Sequence, residues 1–283
     1  MPRTRWMALL AVTGLALTAC SPSSDSADES PSPSASQACT ADALATLTPG
    51  TLTIATGDPA FDPWVLDNDP SSGKGFESAV AYAAAEKLGY AHDDVTWVRT
   101  TFDGAIAPGP KTFDWNIQQF TITADRKQAV DFSSPYYEAP QAVVTYKGSP
   151  VASASTIEAL KSAKIGAAVG STSLDAAEEA IDPEAQVQVF SDNAGAVTAL
   201  KNKQIDAIVV DLPTGAYLVS AEIDGGTIVG TLPTADPYGI LLAKGSPLTA
   251  CTTQAVDALR ADGTLTELEK LWLSSYADVP ALG

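Results

Sequence analysis

From about residue 50 to residue 273, short apolar runs alternate with stretches in which apolar positions recur every three or four residues. The runs predict strands at 51–56, 95–98, 114–119, 142–146, 165–169, 187–190, 207–210 and 239–243, since a strand covered on both faces reads as continuous apolar sequence. The spaced stretches predict helices. Ala79, Val80, Ala83, Ala84 and Leu88 share one face of a helix over 77–88 that stops at Gly89, where a left-handed residue can end it. Residues 172–180, 192–202, 248–260 and 265–273 read similarly, the segment 248–260 closing at Asp262 and Gly263. Such alternation signals an α/β fold around largely parallel sheets, and no repeat period suggests a solenoid.

The pattern begins late. Arg3 and Arg5 precede a mostly apolar stretch at 6–19 and then Cys20, the layout of an export signal and too short to span a bilayer comfortably. Leu17, Thr18, Ala19 and Cys20 resemble the lipobox of bacterial lipoproteins, which implies cleavage after residue 19 and an acylated Cys20. Residues 21–37 are Ser, Pro, Asp and Glu with almost nothing to bury, so 20–39 is expected to be a disordered tether. If Cys20 carries lipid, Cys39 and Cys251 form an even pair in an oxidising compartment. A disulfide between them would close a loop worth roughly 5 kcal/mol in the chain-entropy model. The alternative is a buried thiol, because Cys251 shares a helical stripe with Ala255 and Leu259.

A formal net charge of −18 argues against nucleic acid or anionic lipid as a partner through a basic patch. The single histidine, His92, lies in a polar stretch expected to be a surface loop, so a Ser/His or His-metal arrangement lacks a base or ligand set. Asp67-Asn68-Asp69 resembles a calcium loop only superficially: Pro70 follows, and the Gly and Glu of that motif are missing. Gly-rich phosphate motifs are absent, so neither cofactor nor metal is expected.

Several segments, in order, resemble the polar amino-acid-binding proteins of ABC importers, the extracellular solute-binding family 3. They are TLTIATGDPAFDPW from Thr51, GFESAVAYAAAEKLG from Gly75, TTFDGAIAP from Thr100 and, most specific, FDWNIQQFTITADRKQAVDFSSPYY from Phe113. KIGAAVGSTSLDAAEEAI from Lys164, KNKQIDAIVVDLPTGAYLV from Lys201, DPYGILLAKGSPL from Asp236 and ALRADGTLTELEKLW from Ala258 follow. The resemblance implies a two-lobed periplasmic-binding-protein fold of type II (Venus-flytrap) with two hinge crossings, near 138–143 and 234–239. Lobe 1 would comprise 40–141 and 238–283, and lobe 2 would comprise 142–237.

A free amino acid presents a carboxylate and an ammonium, so a selective cleft must satisfy both once water leaves. The resemblance implies that Arg126 binds the carboxylate, for which its planar fork suits two parallel hydrogen bonds. It implies that Asp211 binds the ammonium, at the C-terminal edge of a strand where α/β folds place ligands; helix capping ahead of Pro213 is the competing role. Asp58 occupies the comparable point after the first strand, with turn formation as its alternative. Ser171 and Thr172 follow Gly170 at a helix start, able to meet a carboxylate or simply to cap. Phe61 and Phe102 would bracket the ligand side chain, Trp64 would be core, and Thr121 with the backbone of Gln119 would hydrogen-bond the ligand. Many relatives have Gly or Ser where Gln119 stands, so a larger amide is expected to narrow the pocket or add a donor and acceptor. Arg126 against Asp58 and Asp211 leaves the site one charge negative, which disfavours an acidic side chain.

The implied role is an extracytoplasmic, lipid-anchored binding subunit, monomeric, serving a membrane permease and its ATPase. The opposing classes are a dehydratase-type enzyme on the same fold, for which paired carboxylates could do acid/base work, and a ligand-sensing receptor module.

Overall fold

Two strands decide the architecture. In the computed structural model, which describes residues 38–274 and 278–283, β4 (Val130–Thr145) and β8 (Thr227–Ala243) run 16 and 17 residues. Each is roughly 50 Å long at about 3.3 Å per residue, and they pair antiparallel from end to end. Where β4 begins, Val130 faces Ala243 and Phe132 faces Leu241. There the sheet continues through β3 (Trp115–Asn116) and β1 (Leu52–Gly57) to β2 (Val95–Thr100). Where β4 ends, Val143 faces Gly230, and β7 (Ala207–Asp211), β5 (Ile165–Ala168) and β6 (Gln188–Phe190) carry the sheet onward. Each set is the sheet of one lobe. β1 is parallel to β2 and β3, and β5 to β6 and β7; the ladders that involve β4 or β8 are antiparallel.

The chain passes twice between the lobes where Glu138 faces Pro237, Ala139 faces Asp236 and Pro140 faces Ala235. Register shifts bracket this crossing, at Phe132/Pro135, Pro135/Tyr137 and Pro140/Ala142. Pro135, Pro140 and Pro237 have no amide to donate, and a ladder accommodates proline at bulges, where it also bends.

Successive strand residues point to opposite faces, so each lobe buries two apolar clusters. In lobe 2, Val143 and Val209 pack with Leu160, Ile165 and Ile181, while Val144, Ile208 and Val210 pack with Leu200 and Leu218. In lobe 1, Ile240 and Leu242 join Leu52, Ile54, Phe76 and Val80, while Leu241 faces Phe113, Phe120 and Phe132. Truncating one such aliphatic side chain to alanine costs about 2–5 kcal/mol.

The helices are α1 (Phe76–Lys87), α2 (Phe102–Ile106), α3 (Arg126–Ala129), α4 (Thr172–Ala176), α5 (Asn193–Lys201), α6 (Leu212–Tyr217), α7 (Thr249–Ala261) and α8 (Thr264–Leu273). α1 ends before Gly89 at φ 86. The helix expected over 172–180 is shorter, its winding widening over Ala177–Ile181. The strand expected over 114–119 shrinks to two residues, since Gln119 at φ 51 lies outside the extended region. The strands expected at 142–146 and 239–243 are instead the ends of β4 and β8.

Cys39 and Cys251 are joined by a disulfide with Cα atoms 5.2 Å apart, and Cys251 is also buried on the α7 stripe with Ala255 and Leu259. The last residues depart from the expected lobe boundaries. The resemblance implies lobe 1 for all of 238–283, yet Leu282 is buried in a lobe 2 cluster with Val143 and Ile165. The Thr231 amide donates to Pro280 O (2.9 Å), and the Leu282 amide donates to Thr231 O (2.8 Å). An apolar residue needed cover, and Gly230 left the room: a Cβ there would stand 2.7 Å from Leu282. The export signal, Cys20 and the tether up to residue 37 lie outside the described residues. Among the described residues, no helix is long and apolar enough to cross a membrane.

Candidate functional site

The lobes meet around Arg126. The segment after β3 turns at Gln119 and delivers Arg126 to the first position of α3, where the side chain is only 8% exposed. Its guanidinium donates to Thr121 O in its own lobe (2.9 Å) and to Gly170 O in the other (3.1 Å). It lies 5.2 Å over the Phe102 ring, which stacks on Phe120 at 4.8 Å. Among the described residues no carboxylate forms an ion pair with it within 4.0 Å. Burial pushes its pKa down, and the charges of Asp236, Asp175 and Asp211 work against that shift. A guanidinium keeps its proton regardless, so the cation is held by two carbonyl oxygens and the Phe102 ring, with Asp236, Asp175 and Asp211 acting on it from beyond ion-pair distance.

The acids form a second wall. Asp211 ends β7 directly before α6, yet its side chain makes no capping bond there. Instead Gln141 Nε2 donates to Asp211 Oδ1 and to Asp236 Oδ2, at 2.7 Å each. Asp236 Oδ2 also accepts from Thr172 Oγ1 (2.6 Å), which lies 3.1 Å from Thr121 Oγ1 across the cleft. Polar contacts thus link Arg126 through Thr121, Thr172, Asp236 and Gln141 to Asp211. Burial pushes the Asp211 carboxyl up to about 6, opposed by the Tyr238 hydroxyl and the Gln141 bond and reinforced by the charge of Asp236.

The other expected residues divide. Ser171 spends its hydroxyl on its own helix, accepting from the Leu174 amide (3.2 Å) and donating to Ala168 O (2.8 Å), so it caps α4 and leaves Thr172 to face the cleft. Phe61 is exposed and meets Tyr217 of the opposite lobe at 6.1 Å. Asp58 is exposed on the turn after β1 and, among the described residues, joins none of these bonds. Trp64 is core as expected, but its Nε1 also donates across the lobes to Thr214 Oγ1 (3.2 Å). Gly75 makes that placement possible: at φ 98, with a Cβ that would sit 2.5 Å from Trp64 O, the position excludes other residues. His92 is exposed and stacks flat on Tyr82 at 4.0 Å. Asn68 and Asp69 accept from the Ala60 and Ser71 amides in a turn.

Two residues that the sequence pattern does not single out, Glu77 and Asp236, support the site. Glu77 is fully buried and accepts from the Gln119 amide (2.7 Å), the Gln119 side chain and the Tyr136 hydroxyl. Burial pushes it up to about 7 against these three bonds. Gln119 therefore turns its amide group toward Glu77, so the expected narrowing of the pocket gives way to support of the loop from below. The signal was present, since Glu77 lies three, four and seven residues before Val80, Ala81 and Ala84, all buried on one face. Asp236 stands beside Pro237 at a lobe crossing, and an acid at that place is the signal the sequence carries for it.

A cleft of about 550 Å³ opens at this point, lined by Asp103, Ile106, Thr123, Asp125 and Arg126 on one side and Gly170, Thr172 and Asp175 on the other. Such a cleft can hold a small molecule that presents an anion to Arg126 and a polar group to Thr172, behind which Asp236 stands.

Known proteins with similar sequences are binding proteins for amino acids. The ABC transporter glutamine-binding protein GlnH of Bacillus subtilis is 36% identical over 158 residues, a match spanning 56% of each chain. An L-arginine-binding protein of Pseudomonas aeruginosa is 30% identical over 76% of this chain and 85% of its own. An ancestral arginine-binding protein solved with arginine has 35% identity and a TM-score of 0.65, covering 79% of this chain and 98% of that one. The family model for bacterial extracellular solute-binding proteins, family 3, matches residues 52–275. The chain therefore belongs to the bacterial extracellular solute-binding proteins of family 3.

Proposed function

We propose that this protein captures an amino acid between its lobes, outside the cytoplasm and held to the membrane through Cys20, and delivers it as a monomer to the permease and ATPase of an ABC importer. The observation that carries the reading is Arg126: buried where the lobes meet, bonded to two carbonyls and, among the described residues, with no acid in ion-pair reach. The relatives named for glutamine and L-arginine support an amino acid as the solute.

In this mechanism the ligand carboxylate takes the Arg126 fork from Gly170 O, exchanging a neutral acceptor for a charged one at roughly twice the bond strength. The ammonium goes to Asp211, whose carboxylate is free of capping duty. Among the described residues the lobes touch through few polar contacts across the cleft, Arg126 to Gly170, Thr121 to Thr172 and Trp64 to Thr214, so a ligand that bonds both lobes shifts them toward closure by what it adds there. Micromolar binding needs about 8 kcal/mol net, within reach of several charge-assisted bonds.

Calorimetry with the common amino acids tests this. At least one binds at micromolar strength without turnover, and Arg126→Ala abolishes the signal while the circular dichroism spectrum is kept. Unchanged affinity in that variant, or a product detected by mass spectrometry, overturns the reading.

A further inference from the structure

The Thr172 hydroxyl stands between the opposite lobe and an acid. Its Oγ1 lies 3.1 Å from Thr121 Oγ1 and 2.6 Å from Asp236 Oδ2. A hydroxyl has one proton to give and a carboxylate has none, so the short contact with Asp236 spends the Thr172 proton there. By distance alone either threonine could donate to the other, but that choice is now made: Thr121 donates and Thr172 accepts. What Thr172 has left for the cleft it lines is a lone pair.

The surroundings hold this order in place. Asp236 Oδ2 also accepts from Gln141 Nε2 (2.7 Å), a fully buried amide that Asp211 fixes in turn (2.7 Å), and Asp211 takes the Tyr238 hydroxyl as well. Ser171 caps α4, so Thr172 is free of that duty. The cleft therefore has opposite polarities at two of its lining residues. Arg126 offers only donors, and the Thr172 hydroxyl offers only an acceptor. An amphoteric ligand with its carboxylate on Arg126 can bring a donor to Thr172; turned end for end, it sets a carboxylate against a lone pair, a polar group left without its bond.

Resting on the amino-acid reading of this cleft, we propose that Asp236 is a positioning residue: it draws the Thr172 proton out of the cleft, makes that hydroxyl an acceptor, and so fixes the orientation in which the ligand is held. Asp236 acts through Thr172 and touches no ligand itself. The role requires an oxygen that accepts and not a negative charge. An asparagine carbonyl at the same place takes the same proton, whereas alanine leaves the Thr172 hydroxyl free to turn.

Calorimetry on the whole protein tests the relay, with L-arginine and L-glutamine as probes and, where neither binds, the remaining common amino acids. Asp236→Ala weakens the tightest-binding probe at least roughly fivefold, the scale of one hydrogen bond, and Thr172→Val does the same. The two changes together weaken binding no further than Thr172→Val alone, since a residue that acts through another is not additive with it. Asp236→Asn recovers most of the affinity that Asp236→Ala loses. An unchanged affinity in Asp236→Ala, additive losses in the double variant, or an asparagine variant as weak as the alanine one overturns the proposal and leaves the amino-acid reading standing. If Asp236→Ala does not fold, as judged by its thermal melt, Asp236→Asn decides in its place: a loss smaller than that of Thr172→Val supports the role, and one as large or larger overturns it. Binding by none of the amino acids removes the reading itself and the proposal with it.

Discussion

Arg126 and Glu77 are both buried in lobe 1, and they are bonded in opposite ways. Glu77 takes all its donors from its own lobe, two from Gln119 and one from Tyr136. Arg126 takes one acceptor from its own lobe and one from across the cleft, Gly170 O. Separation of the lobes leaves Glu77 untouched and strips Arg126 of half its bonded partners. Burial alone therefore does not mark a ligand group. What distinguishes Arg126 is that one of its partners belongs to the opposite lobe.

The contrast is sharpest in paired substitutions. Arg126→Ala removes ligand binding, an effect beyond about 100-fold if several charge-assisted bonds depend on the fork, and moves the melting temperature by only a few degrees, since it also removes a desolvated charge. Glu77→Ala does the reverse. It orphans three buried donors at about 1–3 kcal/mol each, so the protein melts far lower, while whatever folded fraction remains still binds. A fall in stability for Arg126→Ala as large as that for Glu77→Ala would erase the distinction.

The titration of Glu77 gives the next largest effect. Its carboxyl is pushed from 4.5 up to about 7 in the folded state, so between these values the folded protein binds more protons than the unfolded chain. The stabilising contribution is complete below about pH 4.5 and is lost as pH rises through about 7, by the linkage between proton binding and stability. Melting temperature thus declines across that window, and Glu77→Gln flattens the decline. Identical slopes in the two proteins would place the titrating group elsewhere.

The smallest effect tests the moving contact itself. Trp64→Phe keeps the aromatic packing against Phe76, Tyr137 and Tyr238 and loses only the bond to Thr214. A net hydrogen bond of about 1 kcal/mol present only when the lobes touch predicts a roughly fivefold weaker ligand affinity. The melting temperature of the ligand-free protein should shift little.

Much of this was legible in the sequence, for identifiable reasons. Helices such as α1 and α7 announce themselves through local periodicity, and the strand that ends in Asp211 is a continuous apolar run. Arg126 stood out because its segment is unusual. The long strands were not legible, because β4 and β8 are interrupted by prolines whose positions make sense only beside a partner roughly a hundred residues away, as the Ala139 and Asp236 pairing shows. Glu77 was passed over because a carboxylate on an apolar helix face contradicts the pattern that defines the face, and its donors lie on other elements. Asp236 gained a role only when Gln141 and Thr172 were seen to converge on it. The docking of the C-terminal residues on lobe 2 rests on one leucine and the bare backbone of Gly230, too little for a linear pattern to reveal.

The cystine between residues 39 and 251 has a mechanical consequence. Any load arriving at Cys39 from upstream passes directly into α7, which packs on α1 and β4 within one half of the molecule. Tension entering there is thereby borne within lobe 1 and bypasses the two strand crossings between the lobes.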